Sequence, residues 1–315
     1  MTRVAAVDCG TNSLRLLVAD VHDGVLTDVV RRQEIVRLGE GVDRTGYISP
    51  EALDRTLAVT RRYADEVRSL GAEAVRFVAT SASRDARNRD DFVAGVHEAI
   101  GVLPEVISGE QEAELSFRGA TAALAARHRG PYLVCDLGGG STELVLGARS
   151  VVAAASMDVG SVRLTERYLA GDPPTAEQIA AASAEVEAAL DEAGRQVPLG
   201  RAATLVGVAG TVTTVAAHAL DLDEYDSSVI DGAVIDADVM LKACRSLLDM
   251  RRLRRERLPY LHPGRVDVIG AGALIWSGVI SRVRSEVGRA GVRMRTVVVS
   301  ERDILDGLAL GLAEG

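Results

Sequence analysis

Short apolar runs alternate with longer amphipathic stretches along the whole chain. Val4-Ala5-Ala6-Val7 ends at Asp8-Cys9-Gly10, and Leu14-Arg15-Leu16-Leu17-Val18-Ala19 follows, a pattern that predicts strand, tight turn, strand. A helix is expected to start after Ser49, with Pro50 at its first position, and to stop at Gly71. Residues 75–79 alternate as a strand, the polar stretch 80–84 turns into another helix, and a strand around Val106 gives way at Gly109 to a helix over 110–126. In the second half Tyr132-Leu133-Val134-Cys135 reads as a strand, and Thr175-Ala176-Glu177-Gln178 is a capping box opening a helix to about Gly194. Residues 205–211 run from strand into a glycine turn, 236–250 are amphipathic, and 266–272 open a further helix. A late strand over 295–299 precedes a final helix over 304–313. Such alternation is an α/β signature.

The length of 315 residues, at roughly 100–200 per domain, argues for two compact domains, and 47% apolar residues are ample for their cores. The longest apolar stretches fall short of the roughly 18 residues that cross a bilayer, so no membrane is expected as a partner. Asp8 stands where the apolar region of a signal peptide would continue. Cys9, Cys135 and Cys244 form neither an even disulfide framework nor a C-x-x-C pair, which points to the cytoplasm. The net charge of −9 and the scarcity of aromatics (one Trp, six Tyr, three Phe) argue against sequence-specific nucleic acid. An anion would therefore be held by a local site and not by the overall field.

Such a site is visible as a repeat. Aligning Asp8 with Asp136 brings Gly10 onto Gly138, Ser13 onto Ser141 and Leu16 onto Leu144. A repeat at about 128 residues suggests a duplicated domain. The glycines of Leu137-Gly138-Gly139-Gly140-Ser141-Thr142 let backbone approach a ligand and aim N–H groups at an anion. The stretch is neither a P-loop nor a dinucleotide fingerprint. Asp8 and Asp136 each end an apolar strand; they either accept turn N–H bonds or, with Glu143, hold Mg²⁺. Gly207-Val208-Ala209-Gly210-Thr211 is a third glycine-and-hydroxyl turn at a helix start. Glu110, Glu112 and Glu114 form an acidic first turn in which spacing alone selects no catalytic member. The basic run Arg251–Arg257 reads as a solvated helix end or as a landing strip for a polyanion. Cys9 and Cys135 read as strand packing.

Together these motifs resemble the exopolyphosphatase/guanosine pentaphosphatase (Ppx/GppA) family of the actin, Hsp70 and sugar-kinase superfamily, in its short two-domain form. The resemblance rests on Asp8–Leu16, Ala79-Thr80-Ser81-Ala82 with Arg84 and Asn88, and Ile107-Ser108-Gly109 leading to Glu112-Ala113. It continues through Asp136–Glu143, Gly160–Glu166 and Ala209-Gly210-Thr211. It implies an α/β fold of two ribonuclease-H-like domains, over 1–125 and 126–300, with the active site in the cleft between them and a C-terminal helix over 301–315 packing back on the first. The implied reaction is Mg²⁺- or Mn²⁺-dependent hydrolysis of the terminal phosphoanhydride of inorganic polyphosphate. In that reading Glu112 is the base, Arg84 neutralises developing charge, and Asp8, Asp136 and Glu143 hold the metal. Asn12, Ser13, Arg15, Gly138, Gly139, Gly140, Ser141, Thr211 and Arg265 contact phosphates. Gln111 stands where relatives often carry a second Glu, and Cys9 where an aliphatic residue is more usual. The rival readings are pppGpp 5′-phosphohydrolysis, a non-catalytic polyphosphate or alarmone sensor, and a kinase of the same superfamily. A homodimer is compatible with each.

Overall fold

The structure is a computed structural model that describes residues 2–122, 124 and 126–312. The expected domain boundary at 125, part of the expected helix 110–126, and the expected helix end at Ala313 lie outside the described residues. The chain divides into two compact units, Met1–Gly119 with Ile304–Gly315, and Ala120–Asp303.

The first unit carries β1 (Thr2–Cys9), β2 (Ser13–His22), β3 (Val25–Ile35), α1 (Val42–Thr45), α2 (Pro50–Leu70), β4 (Ala74–Ala79), α3 (Ser81–Asp85), α4 (Arg89–Ile100), β5 (Glu105–Val106) and most of α5 (Gly109–Ala122). Its sheet order is β3-β2-β1-β4-β5, with β1, β2 and β3 antiparallel and β1, β4 and β5 parallel. The apolar run in β1 has no polar alternation because both faces are covered. Ala5, Val7 and Cys9 pack with Tyr63 and Val67 of α2 and Phe92 of α4. Val4 and Ala6 pack on the other face against Ile304, Leu305 and Leu308. Helix α2 is set by its ends: the Ser49 side chain accepts from the Ala52 N–H, Pro50 opens the helix, and Gly71 closes it at φ 68°.

The second unit carries β6 (Tyr132–Leu137), β7 (Thr142–Gly147), β8 (Val151–Met157), α6 (Ser161–Tyr168), α7 (Ala176–Gln196), β9 (Thr204–Val208), α8 (Ala209–Ala219), α9 (Ser227–Ile230), β10 (Val234–Asp236), α10 (Ala237–Asp249), α11 (Arg252–Arg255), α12 (Ile269–Arg289) and β11 (Thr296–Val299). The chain then returns to the first unit as α13 (Ile304–Leu312). The second sheet runs β10-β11-β9-β6-β7-β8. From its first strand it repeats the first sheet: an antiparallel three-strand meander, then two parallel strands, with β10 added antiparallel at the edge. This shared order is the ribonuclease-H-like arrangement, so the fold is α/β and duplicated, and the repeated Asp turns sit at matching places.

Two elements escape the apolar pattern. Strand β3 is rich in charge, as suits an edge strand protected from pairing with another chain. Helix α6 is short, and the loop before β7 fixes its start. The capping box at Thr175 forms as expected, and α7 runs to Gln196. Among the described residues, no helix is long and apolar enough to cross a membrane.

Candidate active site

In each unit the candidate residues gather at the carboxyl ends of the parallel strands, the usual place for a ligand in an α/β sheet. The first Asp turn closes with the Gly10 N–H donating to the Ser13 carbonyl at 2.9 Å. The second closes the same way, Gly138 N–H to the Ser141 carbonyl at 3.0 Å. In neither turn does a hydrogen bond among the described residues take the next three N–H groups, those of Thr11, Asn12 and Ser13 or of Gly139, Gly140 and Ser141. Gly140 and Ser141 are buried, and a buried N–H is costly unless an acceptor meets it. The two turns therefore present N–H donors that an anion can accept.

Their carbonyls are used elsewhere. Gly138 and Gly139 accept from the N–H groups of Ser161, Val162 and Arg163, so the glycine loop caps α6. A Cβ on Gly160 would lie 2.4 Å from the Gly139 carbonyl, which explains that glycine. In the first turn the Asn12 carbonyl accepts from Val36 and Arg37, and the Thr11 and Ser81 hydroxyls share a buried bond of 2.8 Å. Asn12 and Ser13 thus occupy a fixed turn.

The two copies differ in charge. Asp8 lies directly across from Arg15, and the guanidinium donates to its Oδ2 at 2.9 and 2.7 Å. At the matching place in the second unit, Asp136 lies directly across from Glu143. Asp136 is 6% exposed and Glu143 fully buried. Like charges across a ladder repel, so two buried carboxylates facing each other are held together only with cationic or hydrogen-bonding help. The Ser156 hydroxyl donates to Glu143 Oε1 at 2.7 Å, which orients that carboxylate. This donor set fits a hard divalent cation, because Mg²⁺ is usually held by one or two carboxylates plus water and substrate phosphate. Asp8, expected as a metal ligand, and Arg15, expected as a phosphate contact, pair with each other within their own sheet. Among the described residues no three His, Cys, Asp or Glu side chains gather as a metal cage.

Of the three acids at the start of α5, Glu110 and Glu114 are exposed and Glu112 is buried. The Ser108 hydroxyl accepts from the Gln111 N–H at 3.2 Å, and Gln111 Oε1 accepts from the Ser108 N–H at 3.0 Å. Gln111 therefore completes a capping box and fixes the helix phase. That phase turns the next residue inward. Arg84, at the end of α3, donates to the Ile107 carbonyl at 2.9 Å and approaches Glu112 Oε2 at 3.4 Å. Arg84 and Glu112 form one held pair beside the ends of β4 and β5.

The third turn starts α8 earlier than the glycine pattern implies. Val208 is the N-cap, and Ala209 sits at φ 67°, a left-handed conformation costly for a residue with a Cβ. Thr211 is already inside the helix, and its side chain lies 2.5 Å from where Gly272 would carry a Cβ. The Arg265 guanidinium covers Gly210 so closely that a Cβ there would meet Nη2 at 1.9 Å. The structure thus brings Thr211 and Arg265 to one helix start. It adds two residues the sequence did not reveal: the Tyr225 hydroxyl contacts Thr213 Oγ1 at 2.7 Å and Glu301 Oε1 at 2.5 Å. Burial raises the Glu301 carboxyl above the usual range, while the Tyr225 hydroxyl acts in the opposite direction. Neither residue belongs to a motif, and only the pairing of β11 with β9 carries Glu301 to this place.

Cys9 and Cys135 face the cores. Burial first, then Asp8 for one and Asp136 and Glu143 for the other, pushes both thiols well above their ordinary range. Both serve as packing. The basic run is only partly solvated: Arg255 is buried against Asp172, and Arg252 pairs with Asp267 and Glu256.

A duplicated sheet with the same glycine turn after each first strand, one copy holding two facing acids, defines a two-unit α/β protein. The chain belongs to the Ppx/GppA phosphatase family, whose model matches residues 17–293. It is 49% identical over 322 residues to a Mycobacterium tuberculosis protein named Exopolyphosphatase 2, covering 99% of each chain. Among solved structures, it resembles an exopolyphosphatase-like protein at 44% identity and a TM-score of 0.96, covering 99% of both chains. An Aquifex aeolicus Ppx/GppA enzyme matches at 30% identity and a TM-score of 0.80, covering 98% of this chain and 99% of the other.

Proposed function

We propose that this protein is an exopolyphosphatase, hydrolysing the terminal phosphoanhydride of inorganic polyphosphate to release orthophosphate. The observation that carries the reading is the buried Asp136–Glu143 pair beside the open N–H groups of Gly139, Gly140 and Ser141. The pair supplies a cation site, and the loop supplies donors for phosphate oxygens. The likeness to Exopolyphosphatase 2 over 99% of the chain gives the substrate class.

In this reading Glu112 removes a proton from the attacking water, the role of a general base. Arg84 holds that carboxylate and offers its remaining donors to the charge developing on the transferred group. The N–H groups of Gly139, Gly140 and Ser141 and the guanidinium of Arg265 at the start of α8 bind the anionic oxygens. Asp136 and Glu143 would hold Mg²⁺ or Mn²⁺, which would offset the charge of the phosphate chain. Asp8 keeps Arg15 in place and so shapes the first turn. The overall charge of −9 repels a polyanion, which is why the local donors and the cation matter. The absence of a disulfide framework favours a cytoplasmic setting.

The test is orthophosphate release from long-chain polyphosphate, tripolyphosphate, pppGpp and ATP in parallel, with Mg²⁺ and with EDTA. Polyphosphate is expected to lead, and EDTA to abolish release. A profile led by pppGpp would make the protein an alarmone hydrolase, and silence on all four would make it a binding protein.

A further inference from the structure

Asn88 stands four residues after Arg84 in the same sequence motif, yet the proposed chemistry gives it no part. By position it is the N-cap of α4, and its carbonyl accepts from the Asp91 N–H at 3.2 Å. An N-cap asparagine ordinarily turns its side chain onto a free N–H of the helix it starts. Here the side chain makes no such bond. It reaches across to Ile48 instead: Oδ1 accepts from the Ile48 N–H at 2.9 Å, and Nδ2 donates to the Ile48 carbonyl at 3.0 Å.

The amide thus pairs with Ile48 as one backbone residue pairs with another across an antiparallel ladder. Ile48 is a firm base, 2% exposed and packed in the same core as Phe92 of α4. Next to this pair the Arg87 N–H donates to the Gly46 carbonyl at 2.9 Å, and the Arg87 guanidinium lies over the Tyr47 ring, 5.7 Å from its centre. Residues 87–88 are therefore clamped to residues 46–48.

The clamp holds the far end of α3. That helix has only five residues, Ser81–Asp85, too few to keep its shape without outside contacts. Its start is tied down, with the Thr80 N–H donating to the Cys9 carbonyl at 3.1 Å and the Ser81 hydroxyl bonded to Thr11 at 2.8 Å. Arg84 sits at the other end, beyond which the chain runs extended through Ala86 at φ −79° and ψ 132°. The Arg84 guanidinium bonds the Ile107 carbonyl at 2.9 Å, but its approach to Glu112 Oε2, at 3.4 Å, is already at the outer limit of a hydrogen bond. A small backbone shift at this end would part the two side chains.

We infer that Asn88 is a positioning residue for Arg84, its amide clamping the end of α3 to the Ile48 backbone and so holding the guanidinium against Glu112. The inference rests on the roles proposed for Glu112 and Arg84 and adds what keeps that pair in register. The test measures orthophosphate release from long-chain polyphosphate with Mg²⁺ by the full-length protein, well below the melting temperature of each variant. N88A should lower kcat about 10- to 100-fold with KM within about twofold, because slight misplacement of a reacting group costs rate while the phosphate contacts remain. N88D separates this from loss of fold: aspartate caps a helix as well as asparagine does, so its melting temperature should stay near wild type. Its carboxylate cannot donate to the Ile48 carbonyl, and kcat should still fall at least about fivefold. S49A removes the neighbouring cap of α2, lowers stability at the same corner, and should keep kcat within about twofold. An active wild-type protein whose folded N88D variant keeps its kcat overturns the positioning role and leaves the activity standing. A kcat loss in S49A as large as in N88A makes the effect structural and overturns it too. A wild-type protein inactive on polyphosphate overturns the activity and the role with it.

Discussion

Replacing Glu112 with Gln is expected to lower kcat for polyphosphate about 100- to 10,000-fold, the usual contribution of a general base. KM and melting temperature should stay close to wild type. The side chain is buried and held by Arg84, so an isosteric amide keeps the packing and loses the proton acceptor. Glu110→Gln and Glu114→Gln remove charge from the same helical turn at exposed positions and should leave kcat within about twofold, as surface changes generally do. Steady-state phosphate release with the three variants checks the assignment. An E112Q protein within tenfold of wild type would remove Glu112 from the chemistry and make the Arg84 pair structural.

The largest stability effect is expected at Gly307→Ala in α13. A Cβ there would lie 2.0 Å from the Leu115 carbonyl oxygen of α5, a backbone atom that cannot swing aside. The new methyl would lift α13 from β1 and β2, where Ile304, Leu305 and Leu308 fill one face of the first core. It would also pull Asp306 from Arg31 of β3, an ion pair with Nη2–Oδ1 at 2.7 Å and the carboxylate buried. Overpacking costs about 1–3 kcal/mol and occasionally more, and losing a buried pair adds to it. A cost of about 3 kcal/mol corresponds to a fall of roughly 6–12 °C in melting temperature for a unit of this size. Gly311→Ala in the same helix meets nothing closer than 3.8 Å and should be neutral or slightly stabilising. Thermal melts of the two variants separate steric exclusion from helix propensity; equal melting temperatures would contradict the close approach of α13 to α5.

Much of this was legible in the sequence because the signals were local. Ser49, Pro50 and Gly71 bound α2, Thr175 and Gln178 open α7, and the repeated Asp turns announce the duplication. The exchange of Arg15 for Glu143 was legible too, since both lie at the same offset from their aspartates. Its meaning was not, because only strand register shows that Arg15 neutralises Asp8 while Glu143 doubles the charge at Asp136. Among Glu110, Glu112 and Glu114, the choice needed the helix phase set by Ser108 and Gln111. Strand β3 was hidden because an edge strand carries charge where buried strands carry apolar residues. Tyr225, Glu301 and the buried Arg255 depend on contacts between residues far apart in sequence, for which no local pattern exists.

The most direct test is a time course of long-chain polyphosphate with Mg²⁺, resolved by gel while free orthophosphate is measured. The account predicts orthophosphate from the earliest time point with the remaining polymer still long, the mark of removal from an end. Fragments of intermediate length without orthophosphate, or an unchanged polymer, would contradict it.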